Sequence, residues 1–395
     1  MWSREAWNVD FELNDEQTLF REVVHSWVDR ETPKAYAREI EKREGEYPFE
    51  LWQKLTDAGY HGISVPEQYG GQGGDVVMQM VLARELSRSL AGLTWVWGLT
   101  SFAGSKSIGL YGSEEQKRRF LPAIAAGEAR FSIGFTEPGG GTDLLGGMRT
   151  SAERVDGGWR VRGSKTWCSS AHVADYILLL ARTDKNVEKR HQGLTLFILP
   201  ARSDGVSVSE IPKLGMRSLG SCDVGLDDVF IADDLVLGEP GQAWYMLLPT
   251  LNNERVMLAA LCVGILDGIL EDVLAFAQAR EAFGRKIGGF QIIQHYIADI
   301  AMWRRQAELL VYQAATLLSL ERDCFMESSI AKVQGSEYAV QAADLAIQIH
   351  GGMGYSAETD AQRYWRDARL FRIGPVTNEM ARNSIAEMLG LPRSF

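Results

Sequence analysis

WRVRGSKTW at 159–167, DYILLLART at 175–183, LTLFILPA at 194–201 and VSVSEI at 206–211 are short runs rich in aliphatic, aromatic and β-branched residues. Gly, Asp and Pro separate them, and no helical stretch intervenes. This period-two texture predicts consecutive strands forming a small barrel or sandwich between about 126 and 238. VDGGW at 155–159 carries a hairpin signal inside the section, and DVGLDDVFIADDLVLG at 223–238 closes it.

On the amino-terminal side the period changes. In EQTLFREVVHSWVDRE at 16–31, Leu19, Val23 and Trp27 recur at near-helical spacing. Glu50–Ala58 and Val76–Leu90 repeat the pattern, with the Pro/Gly-rich turn segment ISVPEQYGGQGGD at 63–75 between them. Ser113-Glu-Glu-Gln is a capping box opening another helix, which Gly127 closes. On the carboxyl side, amphipathic stretches cover roughly 250–282, 289–320, 326–350 and 376–390. The interval 351–375 is Gly-rich and then basic. The expected fold is α+β and multidomain: an N-terminal α-helical domain (1–125), a middle β-barrel or sandwich (126–238) and a C-terminal four-helix bundle (239–395).

Composition narrows the function classes. The 395 residues are 46% hydrophobic and 24% charged, which suits a globular protein rather than a disordered one. A net charge of −11 argues against a nucleic-acid binder. Cys168, Cys222, Cys262 and Cys324 are too widely spaced for a metal pair or a redox CxxC, so no metal is expected. The acidic N-terminal segment reads as neither a secretory signal nor a transit peptide. The longest apolar run, Val256–Leu266, is too short to span a bilayer. The expectation is a reduced, cytoplasmic protein with no membrane role.

Several segments carry chemistry. FTEPGGGTD at 135–143 exposes backbone N–H groups and the hydroxyls of Thr136 and Thr142; it fits a tight loop or a ligand surface. In GSKTWCSSA at 163–171, regular strand alternation would put Trp167 and Ser169 on one face. In LNNERVMLAAL at 251–261, a helix places Glu254 with Met257, Leu258 and Leu261. A carboxylate on so apolar a face is costly unless paired or functional, and its desolvation suits a proton acceptor. Arg280, Arg285 and Lys286 surround a Gly break, as a phosphate clamp or a charged helix end. The glycines of QIHGGMGY at 348–355 cap a helix or let a ligand approach, and Thr377 fits the first turn of the last helix.

Together these segments resemble the acyl-CoA dehydrogenase family of flavoproteins. PEQYGGQGGD at 66–75, FTEPGGGTD, KTWCSSA, RxxFGRKI at 280–287, and QIHGGMGY with RDARLFRI at 366–373 occur in family order across nearly the whole chain. The resemblance implies bound FAD, an acyl-CoA substrate, an electron-transfer flavoprotein as acceptor and a homotetramer built as a dimer of dimers. It implies that Ile133, Phe135 and Thr136 line the flavin, that Trp167 covers it and that Ser169 bonds near its N5. Arg280, Phe283 and Gln291, with Gln348, Gly351 and Gly352, would reach the FAD diphosphate and adenosine of a neighbouring subunit. Thr377 and Glu379 fill the remaining FAD-contacting positions. Thr142 and Arg255 would meet the substrate, and Trp95 and Trp97 would flatten the acyl pocket.

The chain departs from the commonest family pattern at one point. Pro375 stands where most members carry the base Glu. Proline cannot accept the proton, and it lacks the backbone N–H that would donate to the thioester carbonyl. A minority of members, isovaleryl-CoA dehydrogenase-like, carry the base on the first long C-terminal helix, in an ER-type dipeptide that matches Glu254-Arg255. Glu254 is therefore the expected base. Pro375 leaves room for other chemistry on the fold: enoyl-CoA reduction, oxidation by O₂, or a carrier-protein thioester substrate. A non-catalytic subunit is the remaining alternative.

Overall fold

The computed structural model describes residues 12–43 and 46–393. Its N-terminal part consists of α1 (Asp15–Glu31), α2 (Lys34–Lys42), α3 (Phe49–Asp57), α4 (Val76–Ser89), α5 (Ala91–Gly98), α6 (Ser105–Tyr111) and α7 (Glu114–Ala125), with a π-helical turn at Leu99–Gly104 joining α5 to α6. The expected capping box is present: Ser113 Oγ accepts from Gln116 N, and the Gln116 side chain returns to Ser113 N. Gly127 follows with φ +70°. The buried side of α1 differs from expectation. Val24, Trp27 and Val28 are buried, whereas Leu19 and Val23 are exposed. Residues four apart drift by about 40° per step around a helix of 3.6 residues per turn. The Leu19–Val23–Trp27 row therefore winds off the buried face.

The middle section is β1 (Phe131–Gly134), a short turn α8 (Leu144–Gly147), β2 (Ser151–Val155), β3 (Gly158–Ser169), β4 (Tyr176–Arg182), β5 (Leu194–Pro200), β6 (Val206–Glu210), β7 (Ser221–Ala232) and β8 (Val236–Leu237). They form one eight-stranded sheet in the order β6-β7-β3-β2-β4-β5-β8, with β1 parallel to β4. The β2–β3 hairpin turns through Asp156-Gly157, with Gly157 at φ +71°.

The C-terminal part begins with α9 (Ala243–Ala279), the two-residue strands β9 (Glu281–Ala282) and β10 (Arg285–Lys286), then α10 (Gln291–Ser319) and α11 (Phe325–His350). A further helix, α12 (Ala361–Leu370), lies in the interval that reads only as Gly-rich and basic, and α13 (Asn378–Met388) follows. Helices α9 and α11 run parallel: Gly335 abuts Ala259 and Cys262, and His350 stacks on Phe276 at 4.3 Å.

The two helical parts share one hydrophobic core, while the sheet forms a second core with α7. The joint between the helical parts is α4 against α9. A Cβ on Gly264 would stand 2.1 Å from the Arg84 carbonyl oxygen, and one on Gly268 2.3 Å from that of Arg88. Glycine at these two positions is what lets the backbones meet. Ser87 Oγ donates to the Leu261 carbonyl across the same joint, at 2.9 Å. The sheet therefore packs beside a helical body whose central helix, α9, also carries Glu254.

Candidate active site

One group of candidate residues gathers at the edge where the sheet meets α5. The Thr136 carbonyl accepts from Thr166 N at 2.9 Å, which brings the Gly-rich loop alongside β3. A buried ion pair anchors that loop: Lys165 Nζ lies 2.8 Å from Glu137 Oε1, and the carboxylate also accepts from Arg149 N and Thr150 N. Burial alone would raise the Glu137 pKa. The Lys165 ammonium and these N–H donors reverse that and hold it below the usual range. The pair has no local signature in the sequence, because its members stand 28 positions apart. Ser132 Oγ donates to the Ser169 carbonyl at 2.8 Å, and Trp95 Nε1 donates to Ser169 Oγ at 3.3 Å. Ile133, Phe135 and Thr136 each keep a partly open face.

Trp167 departs from regular alternation. Between Lys165 and Cys168 the β3–β7 register slips by one residue, and Trp167 takes φ +58°. A bulge with a non-glycine residue in the left-handed region re-aims the side chain. The indole stands 57% exposed at the sheet edge.

Glu254 approaches from α9. Gly98 of α5 packs against Met257 Sδ, so the turn of α9 carrying Glu254 and the turn of α5 carrying Trp95 border the same contact. Met257, Leu258 and Leu261 on its face are buried. Among the described residues its carboxylate has no hydrogen-bond or ion-pair partner. Burial pushes its pKa up to about 7, against the opposing pull of Arg255 and Lys332. Arg255 itself is buried, stacked over the Phe325 ring at 4.6 Å and bonded to Asn252 Oδ1 at 3.1 Å. Thr142 is exposed on its loop. Thr377 caps α13, its hydroxyl accepting from Met380 N at 3.2 Å, while Glu379 and Pro375 are exposed beside it.

Comparison with known proteins follows the same division of the chain. Residues 14–128 match the acyl-CoA dehydrogenase N-terminal domain, 132–229 the middle domain and 241–390 the C-terminal domain. A probable acyl-CoA dehydrogenase of Bacillus subtilis (strain 168) is 34% identical over 96% of this chain and 100% of its own length. The caffeyl-CoA reductase–Etf complex subunit CarC of Acetobacterium woodii is 32% identical over 95% of this chain and 99% of its own. The solved structure of butyryl-CoA dehydrogenase from Megasphaera elsdenii superposes with a TM-score of 0.91 at 30% identity, covering 97% of this chain and 100% of that one. The chain belongs to the acyl-CoA dehydrogenase family. It is an FAD-dependent oxidoreductase of that family.

A second group of expected residues lies at the other end of this acyl-CoA dehydrogenase fold. Arg280 follows the last residue of α9, Phe283 is 95% exposed on the turn between β9 and β10, and Gln291 opens α10. Gln348, Gly351 and Gly352 end α11 beside them, tied by the stacking of His350 on Phe276. The 26 residues from Glu254 to Arg280 span roughly 39 Å at 1.5 Å per residue. The two groups of one chain are therefore well separated. This end suits a bound anion on two counts. Gly351 takes φ +60°, with open space beside it and Gly352, and Arg280 has no ion-pair partner among the described residues.

One expected pocket residue falls outside the site. Trp97 is fully buried, its Nε1 donates to the Tyr60 carbonyl at 3.0 Å, and its ring packs near Phe102. It belongs to the core of the N-terminal part, because two residues along a helix is a turn of about 200°. Trp95, on the opposite side, meets Ser169 and lies 6.1 Å from the Phe371 ring. No group of three or more metal-ligating side chains occurs among the described residues. None of the described helices is long and apolar enough to cross a membrane.

Proposed function

We propose that the protein dehydrogenates an acyl-CoA thioester between its α and β carbons, with Glu254 as the base that takes the α-proton. The observation carrying this reading is a carboxylate on an apolar helix face that has no bonded partner among the described residues and a pKa pushed up to about 7 by burial, one turn of α9 from the contact of Met257 with Gly98 on the helix that carries Trp95. Such a group exists in both protonation states near neutral pH, as a proton acceptor requires. FAD, when bound, supplies the hydride acceptor for the β-hydrogen. Ile133, Phe135, Thr136, Trp167 and Ser169 would hold its ring system. Thr377 and Glu379 would contribute at the first turn of α13. Thr142 and Arg255 would meet substrate, and Trp95 would floor the acyl pocket.

Arg280, Phe283, Gln291, Gln348, Gly351 and Gly352 would hold the diphosphate and adenosine of a second copy's FAD. Their distance from the sheet edge supports an oligomer that completes each site from two chains, and a homotetramer is the assembly we infer. Reduced equivalents would pass to an electron-transfer flavoprotein, a link supported by the relative named as part of an Etf complex.

The caffeyl-CoA reductase relative supports a second reading, reduction of an enoyl-CoA. Pro375 provides no N–H for the thioester carbonyl, and the loss of one oxyanion donor costs ~10²–10³ in rate in either direction. Anaerobic mixing of the FAD-loaded protein with short, branched, medium and aryl acyl-CoAs separates the two. Bleaching of the flavin band by one class supports dehydrogenation. No bleaching by any, with reoxidation of the reduced protein by an enoyl-CoA, supports reduction. Glu254→Gln should slow flavin reduction by ~10²–10⁴. An unchanged rate would remove Glu254 as the base.

A further inference from the structure

Across from the Glu254 turn, on α11, stands a buried cation to which no carboxylate is bonded among the described residues. Lys332 is fully buried. Its Nζ donates to the Val376 carbonyl at 2.5 Å and to Asn378 Oδ1 at 2.6 Å. Both acceptors are neutral. Asn378 is bound on its other side, its Nδ2 donating to Ser336 Oγ and to Glu337 Oε1, both at 3.0 Å. Glu337 in turn pairs with Arg372 and Arg382. These bonds sew the turn at 372–378, which carries Pro375 and Thr377, to α11.

We propose that Lys332 is a positioning residue of the active site, clamping the turn that carries Pro375 and Thr377 and favouring the ionised form of Glu254 on the neighbouring helix. The proposal rests on the reading of Glu254 as base. A desolvated carboxylate with no bonded partner would stay protonated at neutral pH unless a nearby positive charge opposed its burial. Ser328 Oγ donates to Asn252 Oδ1 at 3.2 Å and Gly335 abuts Ala259, so Lys332 of α11 lies level with the turn of α9 that carries Glu254; Arg255 and Cys262 from α9, Glu379 from α13 and Glu337 on its own helix also act on it. Arg255 also favours the Glu254 carboxylate, but it is committed to Phe325 and Asn252. Burial lowers the Lys332 pKa to about 8, with Cys262 and Glu379 opposing, so the ammonium form still dominates at pH 7. The acceptors bonded to that ammonium are neutral, so Glu379 and Glu337 offset its charge only from a distance, and its field reaches Glu254 through protein rather than water.

The test titrates Glu254 without turnover. Infrared difference spectra of the FAD-loaded protein between acid and neutral pH should contain a protonated-carboxyl band that Glu254→Gln removes. Lys332→Gln keeps a donor for the Val376 carbonyl but no charge, and should raise the midpoint of that band by about one pH unit. Lys332→Arg, which keeps the charge, should leave it in place. The acid limb of flavin reduction by the best acyl-CoA should move with the band. Lys332→Met carries the same expectation if thermal melting shows the glutamine variant unfolded. An unmoved midpoint in a folded, uncharged variant overturns the proposal. If Glu254→Gln keeps its rate, the base reading fails, and the infrared midpoint still decides whether Lys332 acts on Glu254.

Discussion

Helix α9 carries two desolvated carboxylates thirteen residues apart, and the fold treats them in opposite ways. Asp267 receives Arg84 Nε at 2.6 Å, Arg84 Nη2 at 3.2 Å and Arg304 Nε at 2.7 Å. Arg84 continues to Glu308 Oε1 at 2.7 Å and to the Tyr312 hydroxyl at 3.1 Å, and Arg304 and Arg305 close on Glu308 Oε2. Burial pushes the Asp267 pKa up, but Arg84 and Arg304 more than reverse it. Burial acts on Glu254 in the same direction, but no partner is bonded to it among the described residues, and its pKa rises to about 7. Burial alone thus does not fix the sign of a shift; the bonded partners do. One end of α9 fastens α4 to the bundle. The other end leaves a carboxylate without a bonded partner among the described residues.

The largest test of that contrast removes the cation shared at the fastened end. Arg84→Met should cost about 3–5 kcal/mol of unfolding free energy in a urea titration, because two buried carboxylates lose a bonded partner. A loss below about 1 kcal/mol would mean that Arg304 and Arg305 already compensate both. The pH dependence has a definite sign. Asp267 and Glu308 have folded pKa values below their unfolded ones. Their stabilisation is present above the unfolded values and is lost as pH falls through the folded ones.

At the free end the sign inverts. The folded Glu254 pKa of about 7 lies above its ordinary 4.5. Its favourable contribution is complete below the unfolded value and is lost as pH rises through about 7. Glu254→Gln should therefore raise stability at pH 8 by up to about 3 kcal/mol relative to pH 4, while depressing flavin reduction. Thermal melting of both proteins across that range measures it. An equal Tm difference at both pH values would place the carboxylate in water rather than in the protein.

The two ends were not equally legible in the sequence. Glu254 stood out because Met257, Leu258 and Leu261 share its helix face, a pattern contained within three turns. The α–β–α order was legible for the same reason, since strand and helix periods are local. Nothing local marks Asp267, because Arg84 is 183 positions away and Glu308 is 224 positions from Arg84. Lys332 was hidden likewise, its acceptors lying on a turn 44 and 46 positions further on. Trp95 and Trp97 looked alike, and only packing sent one to Ser169 and the other to the Tyr60 carbonyl. The bulge at Trp167 needs the β7 register, which no local period contains.

The smallest effect sharpens the comparison most. Tyr312→Phe deletes one acceptor of Arg84, the hydroxyl at 3.1 Å, while Asp267 and Glu308 keep theirs. The Arg84 Nη1 that loses it still donates to Glu308 at 2.7 Å. No buried charge is left unpaired, so the cost should be about 1 kcal/mol or less, the net worth of one hydrogen bond. If the loss instead matched that of Arg84→Met, the network would act as a single unit. The Asp267 pKa would then depend on every member of it, Tyr312 included. A small loss means that the charged pairs alone hold Asp267 ionised, and pairing of opposite charges becomes the sufficient difference between Asp267 and Glu254.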